Sequence, residues 1–398
     1  MNKKLLAVAI ASAMAAPMAA NAIEASVSGH VNRLIFFGDD GFDSDVVQAD
    51  SAQSASRFRI TGSSDLGIGG MKVGVNLETA WASNVSSNIT LKGRNGNDTA
   101  TDGAFNIRHS NLWFGGGWGR LLVGHTSTAY DGIADATLAG PVFLAGVANG
   151  ATMGTALVFK RTGNATVQIQ QGGQNANLTA GTSYRSFDGN HRDVLRYDTP
   201  SFGPLSARVS VGDNQTWQAS ARLSSTFSGA QIQITGGYED LENDAEDARD
   251  AAGAPTVQTS EQWGMTGSIL LSQGTNFSVQ YSGGDLIRGS DLIRGNGNGA
   301  NGNAGRDVGD GRTLSLILGH RWGANAIAAQ YGNHDFDGET ASNSTDYDTT
   351  IWGIGFVHTL SEPRVELYAG YRNMDTDVQG VGGIEDIDMF QMGARVRF

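Results

Sequence analysis

The residues best able to act on other molecules are arginines rather than nucleophiles. In "SRFRITG", Arg57 and Arg59 share one parity, whereas Phe58 and Ile60 share the other. Successive side chains of a strand point to opposite faces, so both guanidinium groups lie on one polar face. Fixed charges of this kind orient and select solutes without making or breaking bonds.

Enzyme chemistry finds little support in the sequence. The chain has no cysteine, and no serine lies in a G-x-S-x-G context. None of the histidines forms an H-E-x-x-H motif. They are scattered at His30, His109, His125, His191, His320, His334 and His358. We therefore predict a protein that is not an enzyme and that has no cofactor.

The elements that must position the arginines are strands, because alternation of apolar and polar residues recurs along the chain. "MKVGVNLETAW" is one example. Its apolar parity holds Val73, Val75, Leu77, Thr79 and Trp81, and its polar parity holds Lys72, Gly74, Asn76 and Glu78. No segment after the first residues is long and apolar enough to be a membrane-spanning helix.

The connections between these strands fall into two unequal classes. Seven are short and glycine-rich, for example "GGGWG" (Gly115 to Gly119). Seven others are mostly long and polar, and one very short connection lies near Asp213–Gln215. The long ones are residues 38–54, 83–104, 126–190, 239–260, 283–310, 334–346 and 373–386. Fifteen connections join sixteen strands, which predicts an all-β fold: a sixteen-stranded antiparallel transmembrane β-barrel with short periplasmic turns and long extracellular loops.

The amino terminus predicts export. Lys3 and Lys4 precede an apolar run, and Ala20-Asn21-Ala22 is a small-residue cleavage site. We predict a signal peptide at residues 1–22 and one barrel domain at 23–398. Without those two lysines, 27 basic residues become 25 against 40 acidic ones, a net charge of −15. Such an acidic balance argues against nucleic acid as a partner.

The carboxyl terminus, "MFQMGARVRF", also alternates. Phe398, Val396 and Met392 share the apolar parity, whereas Arg397 and Arg395 share the polar one. A strand that continues to the last residue predicts that the terminal aromatic is structural, at the membrane–water interface.

Several stretches resemble the Gram-negative general-diffusion porins, which are trimeric sixteen-stranded channels of the outer membrane. "SRFRITGSSDLGIGGMKVGVNLE" is similar to the second and third strands of that family, and "IRHSNLWFGGGWGRLLVGHTSTAYDG" to the fourth and fifth. "RDVLRYDTPSFGPLSA" matches a strand and turn of the family, and "VELYAGYRNM" with "DIDMFQMGARVRF" matches its last two strands. The resemblance implies a homotrimer in the outer membrane that passes ions and small hydrophilic solutes.

The resemblance also implies roles for individual residues. In the family, wall arginines face carboxylates on a third loop that folds into the lumen, here about residues 126–190. The matching positions predict a pore constriction, and Phe398 matches the terminal aromatic that the assembly machinery reads. The constriction residues are Arg57, Arg59, Arg108, Arg196, Asp131 and Asp135.

The third loop departs from the family pattern. It lacks the acidic Pro-Glu-Phe type of element, and it is long enough for "TALVFKR", "ATVQIQ" and "TAGTSYRSF" to form a hairpin of their own.

The predicted external loops are acidic, with Asp39, Asp40, Asp43 and Asp45 in the first and "EDLENDAEDARD" in the fifth. They could bind divalent cations that bridge lipopolysaccharide, or form a solvated surface. Carboxylates of the external loops favour cations, whereas arginines at the constriction favour anions. We predict weak cation selectivity at low salt that declines as salt is added.

The alternatives to a channel are an outer-membrane barrel enzyme and a secreted, soluble β-rich adhesin.

Overall fold

A computed structural model describes residues 24–91, 104–134, 136–140, 153–241, 256–288, 306–339, 343–360 and 364–398. The predicted signal peptide lies outside these ranges. Within them, no helix is long and apolar enough to cross a membrane.

Strands account for most of the described chain. One α-helix, α1 (Ala180–Ser183), and short 3₁₀ turns at Ser86–Asn88 and Asp213–Gln215 interrupt them. The strands are β1 (Glu24–Asp39), β2 (Ser44–Asp50), β3 (Arg57–Asp65), β4 (Lys72–Ala82), β5 (Ala104–Gly116), β6 (Gly119–Ser127), β7 (Lys160–Arg161), β8 (Ala165–Thr166), β9 (Gln168–Gln171), β10 (Gln174–Asn177), β11 (His191–Asp198), β12 (Leu205–Gly212), β13 (Trp217–Phe227), β14 (Ala230–Asp240), β15 (Val257–Leu270), β16 (Thr275–Arg288), β17 (Arg306–Trp322), β18 (Asn325–Gly338), β19 (Tyr347–Leu360), β20 (Val365–Val378) and β21 (Ile387–Arg397).

One large antiparallel sheet closes on itself. Among the described residues it contains seventeen strands. Consecutive strands of this sheet pair with each other, including β6 with β11, except that β2 and β3 each pair with β1. The last strand pairs with the first, from His30 opposite Arg397 to Asp39 opposite Asp388. β2 pairs with residues 33–39 of β1 and β3 pairs with residues 24–30, so β2 and β3 together fill the place of one strand beside β1. The barrel is therefore sixteen-stranded. The predicted fold is confirmed.

The alternation of side chains places apolar groups outside and polar groups inside. In β16, Phe277 and Val279 are exposed on the outer face, whereas Ser278 and Gln280 are buried on the inner face. The inward polar side chains form hydrogen bonds with one another and with the segment that lies inside the barrel. For example, Ser278 Oγ donates to Asn276 Oδ1 at 3.0 Å. A lipid-facing barrel needs this pattern, because apolar outer side chains avoid unpaired polar groups in lipid.

Aromatic residues follow the barrel at the level of the long loops. The register sets Tyr238 opposite Trp263 and Tyr331 opposite Trp352. Farther round, Phe390 lies between Tyr371 and Phe37 on the two adjacent strands. Amphipathic rings prefer the membrane–water interface, so this row marks one edge of the apolar band.

The turn between β13 and β14 shows why the short connections are so short. Ser228 has φ 49° and Gly229 has φ 81°. Two central residues with positive φ form the type I′ turn that suits the twist of paired strands, and glycine adopts that conformation readily.

The predicted first loop, residues 38–54, is wrong in extent. Residues 44–50 form β2, which pairs with the upper half of β1, so the connection is the turn at residues 40–43. Carboxylates stabilise that turn, because Asp40 Oδ1 accepts the N–H groups of Phe42 and Asp43 at 3.1 and 2.8 Å.

The segment between β6 and β11 has its own small fold. β7–β8 and β9–β10 form two hairpins, so "TALVFKR" and "ATVQIQ" are partly strand. "TAGTSYRSF" instead contains α1, which begins with a capping box between Thr179 and Thr182. Serine and threonine hydroxyls compete for backbone groups and favour helix caps over strands, which explains the difference.

The inner wall is apolar where this segment packs. At the loop end of β18–β21, inward side chains such as Phe336, Ile351 and Met389 are buried against Leu157, Tyr184 and their neighbours. The predicted alternation of apolar and polar residues therefore does not extend to this level of the barrel. Apolar side chains replace polar ones here because they bury against protein rather than water.

Candidate channel lining and constriction

Two adjacent strands bring arginines and a carboxylate together on the inner wall. The register of β3 and β4 sets Arg59 opposite Glu78, so both side chains point to the same face. Arg59 Nε donates to Glu78 Oε2 at 2.6 Å, and Arg57 Nη1 donates to Glu78 Oε1 at 3.3 Å. The carboxylate of Glu78 is fully buried between them.

Arg108 joins this group because of a β-bulge. The pairing of β4 with β5 shifts between Glu78, opposite His109, and Thr79, opposite Ile107. Arg108 is the extra residue, and a bulge re-aims the side chain of such a residue. Its Nε donates to Glu78 Oε1 at 2.8 Å, and its Nη2 lies 3.3 Å from His191 Nε2.

We call Glu78, Arg57, Arg59 and Arg108 the Glu78 cluster. It carries three positive charges and one negative charge, a net +2. The arginine side chains stay 17%, 43% and 29% exposed, whereas the carboxylate is shielded. Water and mobile ions therefore meet the positive side of the cluster.

A cavity of about 690 Å³ borders the cluster. It reaches the barrel seam, where Arg397 and Phe398 lie. Glu78 is one of the residues that the sequence did not predict for the site. The available signal was its place on the polar face of a strand that pairs with the arginine-bearing strand.

Arg196 lies apart from the Glu78 cluster. Its Nε and Nη2 donate to the two carboxylate oxygens of Asp198 at 2.8 and 2.9 Å, and its Nη1 donates to the carbonyl of Ser127 at 2.7 Å. Bidentate pairing fixes a guanidinium firmly. The side chain is largely buried, so Arg196 meets little free space.

Asp131 faces a different pair of arginines. It shares a cavity of about 40 Å³ with Arg208 on β12 and Arg222 on β13. These two arginines were also missed, although both lie on the polar parity of their strands. Asp135 lies outside the described residues. The structure thus brings three predicted site residues together, separates two, and leaves their role in a constriction a prediction.

The residues around Asp131 are held to the wall by hydrogen bonds. Ser220 Oγ donates to the carbonyl of Ala129 at 2.5 Å, and Thr266 Oγ1 donates to that of Ile133 at 2.7 Å. Tyr130 is fully buried, and its hydroxyl donates to the carbonyl of Phe187 at 2.9 Å. Burial raises the pKa of the Tyr130 hydroxyl, so the donor remains protonated.

The second half of the same segment follows the wall back towards β11. Gln280 Nε2 and Ser282 Oγ donate to the carbonyl of Ser186 at 3.0 and 2.9 Å. Tyr347 donates its hydroxyl proton to the carbonyl of Thr182 at 2.9 Å. These contacts lie on β16 and β19, whereas the Glu78 cluster lies on β3–β5.

Phe398 lies at the seam of the barrel. Its N–H donates to the carbonyl of Gly29, and its carbonyl accepts from the N–H of Gly29, both at 3.0 Å. Its ring is exposed on the outer face and lies over Gly29, where no side chain stands in the way.

The acidic first turn uses its carboxylates internally, as the bonds to Asp40 show. Across the described residues, no group of three or more histidine, aspartate or glutamate side chains is arranged to hold a metal ion. Most of the acidic fifth loop lies outside the described ranges, and cation binding by the loops stays a prediction.

Solved structures share this architecture. An anion-selective porin from Comamonas acidovorans superposes with TM-score 0.58 at 17% identity, over 95% of this chain and 100% of that one. The trimer form of OmpT, an outer membrane protein of Vibrio cholerae, gives 0.57 at 14% identity, over 95% and 100%. Salmonella typhi OmpF in complex with daunomycin gives 0.52 at 13%, over 94% and 97%. At such identities, the likeness shows the fold.

The family itself is shown by the sequence. Residues 6–379 match the profile of the family described as Gram-negative porin. A comparison with curated proteins finds no match. Family and fold together point to a channel rather than an enzyme and imply the outer membrane. The chain therefore belongs to the Gram-negative porins and forms an outer-membrane channel for passive diffusion of small solutes.

Proposed function

We propose that solutes cross this channel through a constriction between the Glu78 cluster and the start of the third loop, without any catalytic step. Arg57, Arg59 and Arg108 supply the positive wall, and Asp131 supplies a carboxylate on the loop side. The observation that carries the proposal is the net +2 charge of a partly exposed cluster on the inner wall.

Arg196 and Asp135 complete the proposed constriction. The guanidinium of Arg196 is paired with the carboxylate of Asp198 and donates to the carbonyl of Ser127, so this ion pair adds little net charge to the wall. Asp135 follows Asp131 by four positions, and its placement lies outside the described residues.

A planar-bilayer recording tests the proposal. Purified protein should produce ohmic current steps, and the reversal potential in a potassium chloride gradient should show weak cation preference that declines as salt is added. Mouth charges are screened over about 8–10 Å at physiological salt, which causes the decline. A protein that inserts and conducts nothing would contradict the channel.

We further propose a homotrimer, with residues 1–22 removed on export and lipopolysaccharide at the outer rim. The trimer form of a protein that shares this fold supports the oligomer. Unboiled and boiled samples should migrate differently on a denaturing gel, whereas a folded monomer at every concentration would contradict it. Mass spectrometry of the purified chain should give Ile23 as the first residue.

A further inference from the structure

Arg321 is an inward arginine near the short-turn end of the barrel. Along β17, it shares the inward parity with Ser315 and Ile317, both of which are buried. The register sets it opposite Ala326, which is buried on the inner face of β18. Among the residues that the structure describes, no acceptor or carboxylate pairs with the guanidinium of Arg321, which is exposed to the lumen.

Arg321 lines a cavity of about 540 Å³ on the inner wall of β17–β21, which we call the Arg321 cavity. Arg321 of β17 lies on one side of it and Arg397 of β21 on the other. The wall between them contains Ala326, Val357 and Thr359. Sites for small ligands are commonly of this size, and a compact space of this volume is about 10 Å across.

Two of the arginines in this cavity share one carboxylate. Nε and Nη2 of Arg395 contact Oε2 of Glu366, and Nη2 of Arg397 donates to Oε1 at 2.9 Å. Arg395 Nη1 donates to Ser54 Oγ at 2.9 Å. In the described part of the chain, Nε and Nη1 of Arg397 have no acceptor, and 43% of this side chain is exposed. Arg397 therefore keeps donors that face the cavity.

The Arg321 cavity is short of negative charge. Arg321, Arg395 and Arg397 against Glu366 give a net charge of +2, and no other charged side chain of the described residues lines the cavity. Its open donors lie on two opposite sides, on Arg321 and Arg397. A guanidinium binds a carboxylate through two parallel N–H···O bonds. An anion with one charge can occupy one of these groups, whereas an elongated anion with a charge at each end can occupy both.

We propose that the Arg321 cavity binds an elongated organic dianion with one negatively charged group at each end. Arg321 binds one end and Arg397 the other, and the two charges of the solute balance the net +2 of the lining. Thr359, opposite Glu366 on the inner face, supplies a hydroxyl between them. The inference rests on the proposed channel, through which the solute reaches the cavity, and adds a solute-binding site outside the constriction.

Calorimetric titration of the purified full-length protein in detergent tests the proposal. The probes are adipate and hexanoate, which share a six-carbon chain and carry two charges and one charge at neutral pH. Both are titrated in potassium chloride at about 100 mM, where exposed charges more than about 10 Å apart are largely screened. Adipate should bind once per chain and about tenfold more tightly than hexanoate, because only adipate reaches both arginines.

Substitutions in the cavity should change the affinity in opposite directions. Arg321→Gln and Arg397→Gln should each raise the Kd for adipate about tenfold. Arg321→Gln breaks no ion pair among the described residues, so the barrel should keep its fold. Glu366→Gln should lower the Kd, because the charge of the lining rises from +2 to +3 and donors of Arg395 and Arg397 become open.

Arg120→Gln is the matched control. Arg120 lies on the inner face of β6, on the opposite side of the barrel, with its guanidinium carbon 4.3 Å from the ring centre of Trp113. Its removal lowers the charge of the lumen by the same amount as Arg321→Gln. Because screening separates it from the Arg321 cavity, the Kd for adipate should stay within about twofold of the wild type.

Three results would overturn the proposal: no saturable binding of adipate, equal Kd values for adipate and hexanoate, or the same loss of affinity in Arg120→Gln as in Arg321→Gln. The last result would assign the binding to the general positive charge of the lumen. Bilayer conductance is measured on the same preparations. A wild type that conducts but binds no adipate would overturn the site alone, whereas a wild type that does not conduct would overturn the channel.

Discussion

Replacing Glu78 with Gln tests the electrostatics of the channel most directly, because it removes one charge and nearly keeps the side-chain shape. The carboxylate is fully buried and pairs with Arg57, Arg59 and Arg108. After substitution, the net charge of the Glu78 cluster rises from +2 to +3. The amide also brings N–H donors against guanidinium N–H groups, so part of the bonding is lost.

The expected change in selectivity follows from Coulomb's law. An ion that passes about 6 Å from the added charge changes in energy by roughly 0.7 kcal/mol in water. Screening over about 8 Å at physiological salt reduces this to about 0.3 kcal/mol. Anions gain this amount and cations lose it, so the ratio of anion to cation permeability should rise about threefold.

The same substitution should weaken the barrel. Removing one partner of a buried ion pair costs about 3–5 kcal/mol. The arginines of the cluster are partly exposed and keep water on one side, so we expect about 1–3 kcal/mol here. Unboiled Glu78→Gln protein should therefore lose its folded band at a lower temperature than the wild type.

The assay is the reversal potential in a potassium chloride gradient, with Glu366→Gln as the matched control. Glu366 also pairs with two arginines, Arg395 and Arg397, on the inner side of β20. A charge outside the constriction should shift the reversal potential less. If Glu78→Gln leaves reversal potential and conductance unchanged, or shifts them no more than Glu366→Gln does, the Glu78 cluster does not border the constriction.

Three further predictions concern other contacts. Replacing both Arg57 and Arg59 with Ser should increase cation preference and enlarge the constriction, and an unchanged reversal potential and conductance in bilayer recordings would show that these arginines do not face it. Deleting Phe398 removes two backbone hydrogen bonds and an outward ring, so the yield of folded barrel on unboiled gels should fall while the conductance of inserted molecules stays the same. Replacing Phe398 with Tyr or Trp should be tolerated. Unchanged assembly after the deletion would limit Phe398 to an interfacial role. Tyr130→Phe removes the hydroxyl that donates to the buried carbonyl of Phe187, which should cost about 1–3 kcal/mol of folding free energy. The third loop is then held less firmly, so the noise of the single-channel current should rise. Noise equal to that of the wild type would contradict this role of Tyr130.

The barrel itself was predictable because a period of two survives over much of the sheet, although not at the loop ends where inward side chains are apolar. A lipid-facing sheet must keep apolar groups on one side, so the pattern in "NFSVQYS" sets both the strand and its faces. The first connection was less predictable. "SDVVQAD" does not alternate, because Val46 and Val47 are adjacent, and its polar ends resemble a loop. Only pairing with β1 makes it a strand.

The Glu78 cluster could be predicted only in part from the alternation of residues. Parity alone placed Arg57 and Arg59 inside, and the structure agrees. Adjacent residues of a regular strand point to opposite faces, so strand parity alone cannot direct both Arg108 and its neighbour His109 to the inner face of the barrel. The β-bulge at Arg108 removes that conflict, and a bulge depends on the pairing of two strands rather than on one sequence window.

The third loop was unpredictable for a related reason. Its apolar residues, such as Leu157 and Phe159, bury against inward side chains of strands that are distant in sequence. Packing of this kind is dense and resists deformation. A channel that selects by charge needs its charges at fixed distances, since Coulomb energies change with separation. Apolar contacts hold the later part of the third loop, hydrogen bonds from the wall hold the residues around Asp131, and the buried carboxylate of Glu78 holds the arginines. The proposed charge selectivity therefore requires packing and hydrogen bonds behind the lumen wall as well as the charges that border the solute path.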